Sequence, residues 1–192
     1  MACGLIGWQL GRQPGVHGPL ELAAKLSVAM VLSAPVPLPA PGVPDRLVIP
    51  ALHIDAPIVP AGLTADGEMQ APVGVDGTTW YQGGSRPGQP GNAVVAGHLT
   101  LGGSPGVFSQ LRQLRPGDDV QTIDGQRIRY HFIVRSLQDY RPQAAPLNQI
   151  FGTSLASHLN LITCDGVWQP RAGQFSQRLV VFADLTARVP QR

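Results

Sequence analysis

Short apolar runs alternate with turn-forming residues along the chain from Arg46 onward. Runs of this kind, bounded by Gly, Pro, Asn and Asp, are typical of the strands of a β-sandwich or a β-barrel. In residues 127–135 the even positions are apolar and most odd positions are polar, as expected of a strand buried on one face. The pattern predicts strands at 46–50, 56–59, 93–96, 119–123, 127–135, 159–163 and 179–183.

Two segments between these strands carry signals of their own. The Asp124-Gly125 pair separates two predicted strands and favours a tight hairpin turn with positive φ. In residues 107–114 the apolar positions follow helical spacing, which predicts one short helix ending before Pro116-Gly117. The chain has 23 Gly and 19 Pro, and because both residue types interrupt helices, an all-helical fold is not expected. With the strand pattern, the expected fold class is all-β.

The first 44 residues differ in kind from the rest. Residues 26–34 form an apolar run behind Lys25 that resembles the hydrophobic region of a signal peptide, although Pro35 occupies the obvious cleavage site. The run is shorter than the roughly 20 apolar residues of a spanning helix. A secretion or anchor segment, the remnant of a longer anchor and a helix lying on the domain all remain open.

Proline marks the end of this N-terminal region. Residues 34–44 contain five prolines, which favour an extended, semi-rigid spacer. Such a spacer would hold the globular domain away from another structure, and a membrane is the expected candidate. The predicted organisation is an N-terminal apolar segment and linker at 1–44, a globular domain at 45–188 and a C-terminal tail at 189–192.

Composition and charge narrow the function classes. Hydrophobic residues make up 43% of the chain and charged residues 14%, which fits a globular protein. The formal net charge is only +2, too small a bias to indicate a nucleic-acid partner.

Three chemically useful side chains stand at predicted strand ends. His98 and Cys164 each follow an apolar strand, and Arg178 opens another. A thiol becomes a nucleophile as the thiolate, and an imidazole exchanges that proton near neutral pH. Arginine stays protonated, and its five donors suit an oxyanion or peptide carbonyls. The alternative interpretation of Cys164 is a small, buried core residue.

The remaining candidates carry weaker signals. His53 and His131 are expected to be exposed or to have structural partners, His17 lies in the N-terminal tail, and His158 is a minor alternative for the imidazole. Asp165 or Asp184 could orient His98, as in a Cys-His-Asp hydrolase. No zinc-type spacing is present, so no metal or other cofactor is expected. Cys3 and Cys164 lie at opposite ends of the chain, and no disulfide between them is expected.

The segments Ala96-Gly-His98, Leu161-Ile-Thr-Cys164 and Arg178-Leu-Val-Val-Phe resemble the three signature motifs of sortases, the cysteine transpeptidases that attach secreted proteins to the bacterial cell wall. The resemblance spans about residues 46–185. A Leu-Arg-Pro-Gly-Asp stretch ending at Asp118 is similar to the actinobacterial class F or class E branches. The chain departs from the family pattern at Asp165-Gly166, in the absence of an Asp-Asn before Arg178, and in a short anchor.

The resemblance implies a closed barrel of about eight strands with short helices. It implies that Cys164 attacks the Thr–Gly bond of an LPxTG-like sorting signal and forms an acyl-thioester, that His98 transfers protons, and that Arg178 holds the substrate and stabilises the oxyanion. The acceptor would be an amine of a peptidoglycan precursor or a pilin. The loop at 136–158, with Pro142, Pro146, Leu147, Ile150 and Phe151, would form a wall for the Leu-Pro part of the signal.

The implied location is the extracellular face of the cell membrane of a Gram-positive type bacterium, held there by the N-terminal segment. Two other functions remain open at this point. One is a secreted β-barrel binding module in which Cys164 is inert, and the other is a Cys-His-Asp hydrolase.

Overall fold

The structure is a computed structural model, and it describes residues 38–65 and 67–191. The apolar run at 26–34, the first part of the proline-rich segment (residues 34–37) and Cys3 lie outside the described residues, so the anchor and the spacer stay predictions. Among the helices that are described, none has the length and apolar character needed to cross a membrane.

Strands dominate the described part of the chain. They are β1 Pro44–Ile49, β2 Ile54–Ala61, β3 Thr78–Tyr81, β4 Gly91–Gly97, β5 Thr100–Leu101, β6 Ser104–Pro105, β7 Asp119–Asp124, β8 Ile128–Tyr140, β9 Ser157–Gln169 and β10 Gln174–Pro190. A closed barrel has the order β1-β2-β3-β4-β9-β10-β8-β7, and β5 pairs with β6 in a small separate hairpin. Short 3₁₀ helices lie at Pro50–Leu52, Leu111–Gln113 and Pro142–Ala144, and α1 spans Leu147–Phe151. The predicted all-β barrel of about eight strands with short helices is confirmed.

The barrel core is formed by alternate residues of β8 and by consecutive buried residues of β4, β7 and β10. On β8 the predicted alternation is present, because the apolar even positions of 128–134 are buried while the odd positions are partly exposed. Burial of each large apolar side chain contributes about 1.5–3 kcal/mol. The largest fully buried apolar side chains include Phe108, Phe132, Phe182, Leu47, Ile49, Leu111, Ile150, Leu159, Leu161 and Leu179.

Strand β3 was not among the predicted strands. Its first two residues, Thr78 and Thr79, are polar and yet buried. Their hydroxyls donate to the main-chain oxygens of Pro57 at 2.8 Å and Gln70 at 3.0 Å, so the polar groups are satisfied inside the protein. This pairing lies between distant segments and has no signature in a local hydrophobic pattern.

The β7–β8 hairpin is present where Asp124-Gly125 predicted it, but its turn differs from the expected two-residue form. The positive φ falls on Arg127, at 61°, and not on Gly125. The carboxylate of Asp124 accepts hydrogen bonds from the amides of Gln126 at 3.0 Å and Ile128 at 2.9 Å. The aspartate therefore supports a longer loop, which ends in a left-handed residue before β8 begins.

The predicted helix at 107–114 is shorter than expected. Only Leu111–Gln113 is helical, and it is a 3₁₀ turn. Phe108 and Leu114 are buried, so the apolar spacing does mark an inward face. The amide of Phe108 donates to the main-chain oxygen of His98 at 2.9 Å. The start of the segment is therefore bonded to the residue that follows β4, and it does not continue the helical hydrogen bonding.

The compact unit that contains the barrel includes residues on both sides of the domain bounds, 45 and 188, that the sequence indicated. It forms one unit from Pro39, and the end of the proline-rich segment contacts it. The amide of Gly42 donates to Asp124 Oδ2 at 2.8 Å, and Arg86 Nη1 donates to the Pro41 oxygen at 3.1 Å. At the other end, β10 continues to Pro190 and pairs with β8, so residues 189 and 190 belong to the barrel and not to a tail.

Candidate functional site

Three neighbouring strands bring His98, Cys164 and Arg178 together at one edge of the barrel. Strands β4 and β9 are parallel, with Ala96 opposite Ile162, so the residues two positions further on, His98 and Cys164, reach the same level. Arg178 on β10 is the direct register partner of Cys164. Because adjacent strands are about 4.8 Å apart, this register alone gathers imidazole, thiol and guanidinium into one row.

Cys164 is a free thiol that is partly exposed. It lines two cavities, together with His98 and Arg178. A thiol in this position differs from the buried core residue that the alternative interpretation requires. It is available to a reagent or a substrate in either cavity.

The glycine of the Asp165-Gly166 pair, which departs from the family pattern, is required by the backbone conformation after Cys164. Gly166 adopts φ +79°, and a Cβ at this position would come within 2.4 Å of Ser176 Oγ. The same hydroxyl accepts a hydrogen bond from the amide of Val167 at 3.0 Å. The β9–β10 register shifts beside this point, so the glycine permits a bulge directly after the cysteine.

The imidazole of His98 is held by main chain. Its Nε2 lies 2.9 Å from the carbonyl oxygen of Pro72. A carbonyl can only accept, so Nε2 donates, and in the neutral ring Nδ1 is the nitrogen left to accept a proton. Gly106 permits the close approach behind the histidine, because a Cβ there would meet the His98 main-chain oxygen at 2.3 Å.

The guanidinium of Arg178 is fixed by its own hairpin. Nη1 donates to the main-chain oxygens of Phe175 and Gln177, both at 3.1 Å, and Nη2 donates to Gln174 Oε1 at 3.1 Å. These bonds orient the planar group while its Nε lacks a partner among the described residues. The arrangement leaves donors for an oxygen that enters the cavity.

An apolar cavity of about 360 Å³ opens on one side of the row. We call it the apolar cavity. It is floored by β4, β9 and β10 and walled by α1 and the segment before it. Its apolar lining includes Met69, Pro72, Pro142, Ala145, Leu147, Ile150, Phe151, Ile162 and Val180.

The lining of the apolar cavity can be compared with the wall that the sequence predicted at 136–158. The loop is shorter than expected, because β8 continues to Tyr140 and β9 begins at Ser157. Of the five wall residues predicted from the sequence, four line the apolar cavity and Pro146 does not. Asn160 supports the wall from below, since its Nδ2 donates to the Ile150 oxygen at 2.7 Å.

A second, larger cavity of about 710 Å³ opens on the other side of the row. We call it the hairpin cavity, because the β5–β6 and β9–β10 hairpins border it. Trp168 and Phe175 pack edge to face with ring centroids 5.3 Å apart and supply its aromatic wall. Glu68 lies at the junction and lines both cavities.

The alternative histidine and carboxylates lie elsewhere. His158, at the start of β9, is about 20 Å from Cys164 along the strand. Its Nδ1 is 2.7 Å from Asp184 Oδ1, and its Nε2 is 3.1 Å from Ser154 Oγ. Asp184 therefore binds His158 and not His98, and this network fastens the segment before β9 to the barrel.

Asp165 is engaged as well. Its carboxylate forms an ion pair with Arg112, which also contacts Asp139. Hydrogen bonds from Arg112 to Asp139 and then to Asp165 raise the pKa of the guanidinium. Neither carboxylate proposed for a Cys-His-Asp arrangement orients His98.

The other histidines lie away from the row. His131 Nδ1 contacts the Asp119 carboxylate at 3.1 Å, and His53 ends the first 3₁₀ helix. His17 lies outside the described residues. Within 38–65 and 67–191, no group of three or more His, Cys, Asp or Glu side chains is placed to bind a metal ion.

Sequence reasoning did not single out Pro72, Trp168, Phe175 or Arg112. The carbonyl of Pro72 has no sequence signal, because any residue carries a main-chain acceptor. The aromatic pair could have been noticed, since Trp168 and Phe175 flank the turn between two apolar strands. Arg112 lies inside the segment interpreted as a helix, where its partner on β9 could not be deduced.

Comparison of the sequence with family models gives a match to the sortase domain over residues 47–186. A search of curated protein sequences finds no match.

Solved structures with the same architecture are sortases of several classes. Sortase A of Listeria monocytogenes aligns with TM-score 0.60 and 18% identity, covering 79% of this chain and 92% of that one. Sortase C-1 of Actinomyces oris aligns with TM-score 0.56 and 26% identity, covering 77% and 72%. A Clostridium perfringens sortase D5 transpeptidase aligns with TM-score 0.56 and 19% identity, covering 76% and 79%.

Proposed function

Since the chain belongs to the sortase family, we propose that it is a cysteine transpeptidase that cleaves an LPxTG-like sorting signal and transfers the acyl part to an amine. The observation that carries this proposal is the row of His98, Cys164 and Arg178 at the meeting point of two cavities. A transpeptidase needs room on both sides of its nucleophile, one side for the acyl donor and one for the amine.

In the proposed reaction, Cys164 gives its proton to His98, and the sulfur attacks the carbonyl carbon of the Thr–Gly bond. Negative charge develops on the carbonyl oxygen, where donors of Arg178 stabilise it. As the C–N bond breaks, His98 returns the proton to the leaving nitrogen, and an acyl-thioester on Cys164 remains. An incoming amine then attacks the thioester and loses a proton to His98, and the proton returns to the thiol.

The linings of the two cavities support a different occupant for each. The apolar cavity has the lining for the Leu-Pro part of a sorting signal, because it is walled by α1 and apolar side chains. The hairpin cavity then receives the leaving segment and afterwards the acceptor. Glu68 lines both cavities, and its carboxylate carries the charge that attracts an ammonium group to their junction beside Cys164.

The acceptor is proposed to be an amine of a peptidoglycan precursor or of a pilin. One structural neighbour is sortase C2 of pilus island 1 from group B Streptococcus, at 19% identity and TM-score 0.57. Assignment to class E or class F stays a prediction. So does location at the extracellular face of the membrane, which rests on residues 26–34 and the prolines that follow.

The decisive experiment uses a peptide with an LPxTG core and a fluorophore and quencher on either side of the Thr–Gly bond. We expect cleavage by the full chain, and mass spectrometry should detect an acyl adduct on Cys164 and a ligated product when an amine is added. Cys164→Ala should abolish both signals and change the melting temperature by only a few degrees, because the thiol is small and partly exposed. Retained turnover in this variant would rule out the mechanism.

A methanethiosulfonate reagent separates the enzyme from a binding module. A thiol that lines two cavities should react in the folded protein, whereas an inert core thiol should not. A peptide library around the LPxTG core then identifies the preferred signal.

A further inference from the structure

We propose that Arg112 is a positioning residue that neutralises the Asp165 carboxylate beside Cys164 and so keeps a negative charge away from the thiolate. This role rests on the proposed function of Cys164 as the nucleophile. Asp165 directly follows the cysteine on β9, where its side chain points to the opposite face of the strand. The two residues are adjacent in the chain, with Cα atoms about 3.8 Å apart, so the charge of the Asp165 carboxylate acts on the thiol across a short distance.

The Asp165 carboxylate is enclosed, because only 18% of its side chain is exposed. Its Oδ1 accepts the amide of Gly166 at 2.6 Å, and its Oδ2 accepts Arg112 Nη2. Water therefore screens the carboxylate only in part, and Arg112 supplies its countercharge.

Arg112 is itself held in place on two sides. It belongs to the Leu111–Gln113 turn, whose Leu111 is fully buried. From there Nη1 reaches Asp139 Oδ2 at 3.1 Å, and Nη2 reaches Asp139 Oδ1 at 2.5 Å. The guanidinium thus joins β8 to the end of β9 that carries the cysteine.

The Arg112–Asp165 ion pair matters because of the other charged side chains around Cys164. His98, Arg178 and Glu68 line the same cavities as the thiol, and Asp165 with Arg112 lies behind it. With Arg112 present, its positive charge offsets one of the two carboxylates that it contacts, Asp139 and Asp165. Without it, an unpaired and partly buried carboxylate opposes both the thiolate and the oxyanion of the reaction.

The test compares two thiol reagents of opposite charge on the full chain carrying Cys3→Ser, so that Cys164 is the sole thiol. The reagents are sulfonatoethyl and trimethylammonioethyl methanethiosulfonate. Any change in thiolate fraction affects both rates equally, so their ratio reports the local charge. For Arg112→Gln we expect the ratio of negative to positive reagent to fall about 3- to 10-fold at low salt, and less at high salt.

The second variant separates charge from structure. Arg112→Gln combined with Asp165→Asn should return the ratio to within about twofold of the starting protein, because removing one positive and one negative charge restores the net charge of the group that Arg112, Asp139 and Asp165 form. On the sorting peptide, Arg112→Gln should lower kcat/KM about tenfold, and the double variant should recover most of it. A structural role alone would leave the double variant as impaired as the single one.

The matched control is Arg46→Gln, which breaks the exposed Arg46–Asp55 ion pair on β1 and β2. We expect no change in its reagent ratio. An unchanged ratio in Arg112→Gln, or a ratio that Asp165→Asn does not restore, would overturn the proposal. The reagent measurement needs no sorting peptide, so it stands apart from failure of the proposed transpeptidation.

Discussion

The Nε2 atom of His98 and the carbonyl oxygen of Pro72 are 2.9 Å apart, so a main-chain acceptor orients the imidazole of the site. In a Cys-His-Asp hydrolase a carboxylate performs this task. Here Asp184 is bound to His158 and Asp165 to Arg112. The orientation of His98 thus depends on the path of the main chain through residues 69–77. Replacing a single carboxylate would not remove the acceptor that orients the ring.

The first prediction distinguishes the roles of arginine and aspartate. Arg178→Lys keeps the charge but loses the planar fork that Phe175 and Gln177 hold by their oxygens. We expect kcat/KM on the sorting peptide to fall by about 100- to 1000-fold, as for loss of an oxyanion donor. Asp165→Asn should have little effect in the same assay. A large loss in Asp165→Asn with little in Arg178→Lys would favour the hydrolase.

The second prediction concerns the glycine behind the histidine. Gly106→Ala should destabilise the protein by about 1–3 kcal/mol and impair turnover, because its Cβ would meet the His98 oxygen at 2.3 Å and displace the main chain of the site. Gly125→Ala is the matched control, since nothing lies within 4 Å of its Cβ position. Denaturant unfolding and peptide cleavage should both separate the two variants. Equal behaviour would contradict the close packing around His98.

The third prediction is a pH dependence of stability. Burial, and then a hydrogen bond to Asp124, raises the pKa of Tyr130 to about 12. A raised pKa means that the folded state holds the phenolic proton more tightly, so the stabilisation is complete below about pH 10 and is lost as pH rises through about 12. We expect the free energy of unfolding to drop by about 2–3 kcal/mol over this window.

Tyr130→Phe provides the comparison for that experiment. The variant lacks the titrating hydroxyl that donates to Asp124 Oδ2 at 2.8 Å, so it should start less stable and lose less between pH 10 and 12. Urea unfolding of both proteins across the window gives the difference. Parallel curves for the two proteins would show that another group titrates.

The fourth prediction concerns where the domain begins. A chain shortened to start at residue 39 should be more stable than one that starts at 45. The longer chain keeps the bond from the Gly42 amide to Asp124 and the bond from Arg86 to the Pro41 oxygen. We expect a difference of about 1–3 kcal/mol in thermal or urea unfolding. Equal stability would mean that these contacts contribute nothing in solution.

Local sequence patterns were sufficient to predict most strands of the barrel. All the predicted strands overlap observed ones, because short apolar runs, and the alternation in 127–135, indicate burial whichever strand lies alongside. The strand at Thr78–Tyr81 was missed since its buried threonines are satisfied by Pro57 and Gln70. The short helix was overestimated because apolar spacing reports burial of Phe108 and Leu114, not continuous helical hydrogen bonding.

In the site, as in the fold, some features could be predicted from the sequence and others could not. His98, Cys164 and Arg178 were identified because each adjoins an apolar run in the sequence, although Cys164 and Arg178 lie inside β9 and β10 and not at the strand ends that were expected. Their arrangement in one row depends on the parallel β4–β9 pairing, which no local pattern reveals. The Pro72 carbonyl and the Arg112 ion pair depend on tertiary contacts alone, and they appear only in the folded chain.

The parallel pairing of β4 with β9 also determines when reactivity can arise. These strands meet through contacts such as the hydrogen bond from Asn160 to Asn92, 68 residues apart in the chain. Contacts of such high sequence separation carry a large loop-closure entropy and form slowly. A partly folded chain would therefore hold its thiol and its imidazole far apart, so that the ability to cut and join peptides switches on only as the barrel closes.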